Sequence, residues 1–155
     1  SFATSIHDML LQSWGGKIRV FPATPVNWPD AQFHQFRTQG AFLVSAKKEA
    51  GKTVFVEVMS EVGSPCIVEL SIDAPKISIN GEAANASQYY KDEKGFYHVV
   101  LAKGERVTFT AKPFVETDLS IQALPSTEAQ KQLFGLNDKT TRLPGHKMYY
   151  PEAQK

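Results

Sequence analysis

The feature that most constrains this chain is a period of two that recurs from Phe33 to Ala123. Phe42, Val44 and Ala46 share one parity, with Ser45 and Lys47 on the other, and Val54, Val56 and Val58 alternate with Phe55, Glu57 and Met59. Cys66, Val68, Leu70 and Ile72 alternate with Glu69 and Ser71, Ile77 and Ile79 flank Ser78, and Phe96, His98 and Val100 oppose Tyr97, Val99 and Leu101. Val107, Phe109 and Ala111, then Leu119, Ile121 and Ala123, complete the series. Successive side chains of a strand point to opposite faces, so each run sorts its residues between two faces. Turn signals separate the runs: Ala50-Gly51-Lys52, Gly63-Ser64-Pro65, Asn80-Gly81, Lys94-Gly95 and Lys103-Gly104. Short strands punctuated in this way predict a mainly β chain, an antiparallel β-sandwich over residues 33–125. Asn80-Gly81 is the best hairpin signal, because a type I′ turn needs positive φ at both central residues.

The flanks read differently. Phe2, Ile6, Met9, Leu10 and Trp14 fall on one helical stripe, which predicts an N-terminal helix over 2–14, stopped by Gly15-Gly16. Lys17 to Phe21 alternates as a short strand, and Pro22, Pro25 and Pro29 make residues 17–32 a rigid, Pro-rich connector. After Pro125, Thr127-Glu128-Ala129-Gln130 matches a capping box, which predicts a short C-terminal helix within an otherwise irregular tail over 126–155. A stripe of five large apolar side chains is too much surface to leave wet. It predicts that the helix folds back on the β-domain, pairs with a neighbouring copy or is solubilised only as part of a longer parent, the expected form being a two-fold homodimer through Phe2, Ile6, Met9 and Leu10.

The chemistry-bearing residues exclude more than they propose. Seventeen basic and sixteen acidic residues, scattered along 155, are too balanced for a protein that binds nucleic acid by neutralising phosphates. The length suits one domain, and no apolar run is long enough to span a membrane. The lone Cys66 lies in an apolar run and reads as a small core side chain. His7, His34, His98 and His146 stand at no metal-ligand spacing. Neither a nucleophile elbow nor a phosphate-binding glycine loop occurs, so the chain itself indicates no catalytic residues, no metal and no cofactor. Ser1 is not an initiator Met, which points to a fragment or a processed product. Tyr89, Tyr90, Phe96 and Tyr97 cluster about one expected hairpin, while Trp14 and Trp28 flank the connector. Aromatic rings stack on the apolar faces of sugars, but core packing is the favoured account of aromatics in a β-sandwich. Trp28, Tyr89 and Tyr97 stand as the candidate glycan contacts.

One stretch is more specific. Met9-Leu10-Leu11-Gln12-Ser13, then Ile18-Arg19-Val20-Phe21-Pro22-Ala23-Thr24-Pro25, then Trp28-Pro29-Asp30, then Phe36-Arg37-Thr38-Gln39-Gly40-Ala41-Phe42 resembles the C-terminal part of glycoside hydrolase family 95, the α-L-fucosidase type. Members carry E-M-L-L-Q-S-H, I-x-L-L-P-A-L-P, W-x-x-G and L-R-A-R-G-G-F in that order. The resemblance covers roughly residues 1–70, and the later strands match only as a β pattern. It implies a parent with an N-terminal β-sandwich, an (α/α)6 barrel carrying the active site, and a C-terminal β-domain packed on the barrel. Residues 1–16 would then be the closing helix of that barrel, with Ser1-Phe2-Ala3 where the family often has Asn-Phe-Gly.

The resemblance further implies an inverting hydrolysis in the parent, in which one carboxylic acid protonates the leaving oxygen while an activated water attacks the opposite face. The family's base machinery and acid Glu lie upstream of this sequence, so none of its catalytic residues is carried onto it. The implied role is an accessory β-domain, inactive alone, partnered by the barrel of its own chain and shaping one rim of a cleft for fucosylated, α-linked glycans. The implied location is periplasmic, cell-surface or secreted. Two other readings are a stand-alone carbohydrate-binding module and a protein-interaction domain.

Overall fold

The computed structural model describes residues 2–111. Helix α1 (Phe2–Leu10) runs into strand β1 (Leu11–Gln12) and a 3-10 turn (Trp14–Gly16), followed by β2 (Ile18–Val20). Then come β3 (Ala31–Thr38), β4 (Phe42–Glu49), β5 (Lys52–Ser60), β6 (Pro65–Glu69), β7 (Lys76–Ile79), β8 (Glu82–Ala83), β9 (Tyr89–Lys91), β10 (Tyr97–Val100) and β11 (Arg106–Thr110). These form a five-stranded sheet, β1-β2-β6-β10-β9, and a six-stranded sheet, β3-β4-β5-β11-β7-β8. One core joins them. Leu11, Ile18, Val68 and Val99 from the first sheet share it with Phe33, Val44, Val58 and Phe109 from the second. The Tyr97 ring meets that of Phe109 at 5.3 Å between centroids. The expected sandwich is therefore present, with α1 at its N-terminal end. The Asn80-Gly81 turn joins β7 to β8 with φ of 51° and 87°, as a type I′ hairpin demands.

One pairing departs from the antiparallel expectation. Strand β2 runs parallel to β6, with Ile18 opposite Val68 and Arg19 opposite Glu69. A parallel pair needs a long crossover, and here the chain makes it by building β3, β4 and β5 in the opposite sheet.

The helix is shorter than its apolar stripe suggests. It ends at Leu10, because Leu11 and Gln12 pair with Val20 and Arg19 in a hairpin whose turn contains Gly15 and Gly16. Tertiary pairing thus overrides helical periodicity after Leu10. The free carbonyls at the helix end are taken up by the connector: Phe21 N donates to Leu10 O and Ala23 N to Met9 O. The five-residue stripe is correspondingly divided. Leu10 joins the sandwich core and Ile6 packs against it, whereas Phe2 is 84% exposed and Trp14, outside the helix, is 61% exposed. His7 lies flat on Phe36, with ring centroids 4.8 Å apart, and Phe36 in turn stacks on Phe33.

Two bulges correct the simple alternation. Strand β3 starts within the stretch read as connector, and its register shifts between Phe33 and Phe36, where Gln35 takes a φ of 52°. Ser45 Oγ fills the gap, accepting from Gln35 N at 3.1 Å and contacting His34 Nδ1 at 3.2 Å. In β5, Lys48 pairs with Thr53 and Lys47 with Phe55, so Val54 is the extra residue. Val56 and Val58 consequently enter the shared core without Val54.

The chain crosses between sheets twice at one corner, from β5 to β6 and from β10 to β11. Fully buried Ser60 laces these crossings together. Its backbone exchanges bonds with Glu105 O and Gly104 N, while its Oγ accepts from Gly63 N and Ser64 N. Gly63 has a φ of 80°, and a Cβ there would stand 2.9 Å from the backbone nitrogen of Lys103. The strand expected at 119–123, the short helix after Pro125 and the tail lie outside the described residues.

Candidate functional site

Among the described residues, the outward face of the five-stranded sheet carries an organised group of surface side chains. Pairing of β9 and β10 sets Tyr90 opposite His98, and pairing of β10 and β6 sets His98 opposite Ile67. These three therefore form one row across the sheet, on the face away from core residues Tyr97 and Val99. Tyr90 and His98 stack almost parallel, with ring centroids 4.4 Å apart and planes 8° apart.

The β9–β10 hairpin loop fixes His98 through Asp92. Asp92 N donates to Phe96 O and Gly95 N to Asp92 O, closing the loop. Asp92 Oδ1 accepts from Lys94 N at 3.0 Å and Phe96 N at 2.9 Å, and Oδ2 lies 2.8 Å from His98 Nε2. An ionised carboxylate only accepts, so this geometry assigns the imidazole proton to Nε2. The His98 bond, with the loop amides, holds the Asp92 carboxyl below its ordinary range against a smaller opposing effect of burial.

Beside this row opens a pocket of about 520 Å³, lined among others by Ser87, Gln88, Tyr90, His98, Ile67 and Val100. Its volume falls within the range of small-molecule sites. The Gln88 side-chain oxygen accepts from Asn85 N, which fixes the loop leading into β9. Cys66 lies at the pocket floor but is itself buried, and burial pushes its thiol up to about 12. It is therefore a packing residue there and a poor nucleophile.

The same sheet face continues at its other edge. Trp14 Nε1 donates to Gln12 Oε1, and the Arg19 guanidinium sits 3.9 Å from the Trp14 ring while its Nε lies 3.3 Å from Glu69 Oε2. Lys17 Nζ stands 4.1 Å from the Phe96 ring centroid.

The three glycan-contact candidates are not brought together. Tyr89 lines the pocket. The Tyr97 ring lies in the core against Phe109, because its parity is inward, and presents no free face to a ligand. Trp28 is half-buried in the connector, where its backbone nitrogen donates to Pro25 O. Sequence reasoning placed Tyr90 in the aromatic cluster but did not join it to His98 and Asp92. Their parity was available, since His98 and Tyr97 alternate, but the cross-strand register was not.

Many carboxylates here have local duties. Glu61 pairs with Arg37, Glu49 with Lys47, and Glu57 with Arg106. Asp30 accepts from Ala50 N, and Glu105 from Ala102 N and Asn80 Nδ2. Among the described residues no three His, Cys, Asp or Glu side chains cluster as a metal site, and no helix is long and apolar enough to cross a membrane.

Comparison with known proteins gives one family. The model of the glycoside hydrolase family 95 C-terminal domain matches residues 12–109. A search of curated proteins returned no match. Among solved structures the chain is similar to a GH127 β-L-arabinofuranosidase from Geobacillus stearothermophilus T6, at 17% identity and a TM-score of 0.37. That match covers 68% of this chain and 17% of the other.

Proposed function

Since the chain belongs to glycoside hydrolase family 95, as a C-terminal domain of that family, we propose that it is a non-catalytic accessory domain of a hydrolase acting on fucosylated or similarly α-linked glycans. The observation that carries this reading is the family match over most of the sandwich. The local duties of the carboxylates agree with it, because glycoside hydrolysis needs two carboxyl groups facing a shared substrate, whereas those described above hold ion pairs and turns.

The proposed partner is the (α/α)6 barrel of the parent chain, and α1 is the proposed joint. Its Leu10 end is anchored in the sandwich and its Phe2 end is exposed, so the latter would meet the barrel or, without it, a second copy. The location proposed is periplasmic, cell-surface or secreted, where polymeric and host-derived glycans are met.

The test is hydrolysis of 4-nitrophenyl α-L-fucoside. The expected result is no release by this chain alone, and release by the parent that is lost or thermally sensitised when residues 17–155 are removed. Turnover by this chain alone, or a parent indifferent to the deletion, would overturn the reading.

A further inference from the structure

We propose that the pocket beside the Tyr90–His98 row is a saccharide-binding subsite, so that the accessory domain also holds glycan at a distance from the chemistry. This rests on the accessory-domain reading for its ligand class, and on the pocket's own geometry for everything else.

The first ground is that Tyr90 is both exposed and held. It is 60% exposed, a state in which a tyrosine side chain ordinarily rotates freely. Here its ring lies on His98, His98 is bonded to Asp92, and Asp92 is bonded to two loop amides. Three successive contacts thus orient one wet aromatic ring. Ordering a side chain costs entropy, and doing so before a ligand arrives removes that cost from binding. A flat, pre-set ring with one open face suits the C–H face of a pyranose.

The second ground is the composition of the walls. Ile67 and Val100 are apolar, while Ser87 and the Gln88 amide bring polar groups to the same cavity. The Gln88 oxygen is engaged with Asn85 N, which leaves its amide nitrogen as a donor. With Nε2 of His98 committed to Asp92, Nδ1 is the ring nitrogen left for a ligand. One aromatic face, apolar flanks and several short-range donors and acceptors fit a neutral sugar, which has both C–H faces and equatorial hydroxyls. The lining contains no Lys, Arg, Asp or Glu, so the pocket offers no charge partner for a phosphate or a nucleotide.

The test is a chemical-shift titration of the full chain with 2′-fucosyllactose, and separately with lactose. Saturable shifts confined to residues 87–90, 98 and 100 support the site, and an equal response to lactose assigns the contact to the pyranose ring and not to fucose. Tyr90→Ala should weaken binding about tenfold, the worth of one stacking contact. Ser87 is exposed, so Ser87→Trp, which fills the pocket from its rim, should abolish binding in a chain whose remaining amide spectrum is unchanged. No response to either sugar, or a response indifferent to both substitutions, overturns the proposal. That failure is separable from failure of the accessory reading, which is decided by the fucoside assay and the parent deletion.

Discussion

The two sheets of this sandwich are built to different plans. In the six-stranded sheet, β3, β4 and β5 are eight, eight and nine residues long and form a continuous antiparallel meander. In the five-stranded sheet the longest strand is β6 with five residues, and β1 has two. The long strands supply Phe33, Val44, Val56 and Val58 to the core, and the adjoining β11 supplies Phe109. The five-stranded sheet as a whole supplies fewer core residues than the six-stranded one but carries outward the Tyr90–His98 row, the pocket and the Trp14–Arg19–Glu69 group. The larger share of the core thus comes from the six-stranded sheet, and the pocket sits where short strands leave room for shaped loops.

That contrast can be broken first from the strong side. Phe109 is fully buried between the sheets. Phe109→Ala should cost about 3–5 kcal/mol and should unfold both sheets together. Urea curves followed by far-UV circular dichroism and by tryptophan fluorescence should coincide for wild type and variant. Separate transitions would mean that the sheets are independently stable.

The corner that ties the sheets is the next point of attack. Gly63→Ala combines a positive φ with a Cβ 2.9 Å from backbone, a strain of about 1–3 kcal/mol. The melting temperature should fall without change of fold by circular dichroism. An unchanged melting temperature would show that the two crossings are not rigidly laced.

A smaller effect is expected at the hairpin, and it has a pH signature. The Asp92 carboxyl titrates below its ordinary value in the folded chain. Its contribution is therefore fully present above the unfolded value, about 3.9, and is lost as pH falls through the lower folded value. Asp92→Asn should be less stable than wild type at neutral pH, with the gap closing below about pH 3.9. A gap constant with pH would leave the His98 bond without energetic weight. Smallest of all is Tyr90→Ala, expected within about 0.5 kcal/mol of wild type in a denaturant titration. A large loss would make Tyr90 a structural residue and erase the contrast between the sheets.

Among the described residues the sandwich was legible where alternation was unbroken. The runs around Val44, Val68, Val99 and Val107 became strands, and Asn80-Gly81 became a hairpin. Where a bulge intervened, face assignment failed: Val54, grouped with Val56 and Val58, is the extra residue of β5. Phe33 and Phe36 are three residues apart, a spacing no regular strand puts on one face, so β3 left no period-two trace across Gln35. The helix was over-extended because Trp14 continues its stripe by chance, while Leu11 is claimed by Val20, a strand partner nine residues on. The pocket was harder still. It depends on which residue of β9 faces which residue of β10, and alternation assigns a face but not a partner.

The parallel pairing of β2 with β6 also sets the order in which the chain assembles. Strands β3, β4 and β5 lie between Ile18 and Val68 in sequence, so this contact closes a long loop whereas the β3–β5 meander closes only short ones. Local pairings form faster than distant ones, so the meander is the natural nucleus and the N-terminal strands are late arrivals. During synthesis the first residues of this domain to be made would be among the last of it to dock. Helix α1, joined directly to β1, would remain undocked through that interval, and whatever precedes it in a longer chain would have time to fold before the two bodies are drawn together. Stopped-flow refolding should then show substitutions in β4 and β5 slowing folding, and substitutions at Ile18 chiefly hastening unfolding.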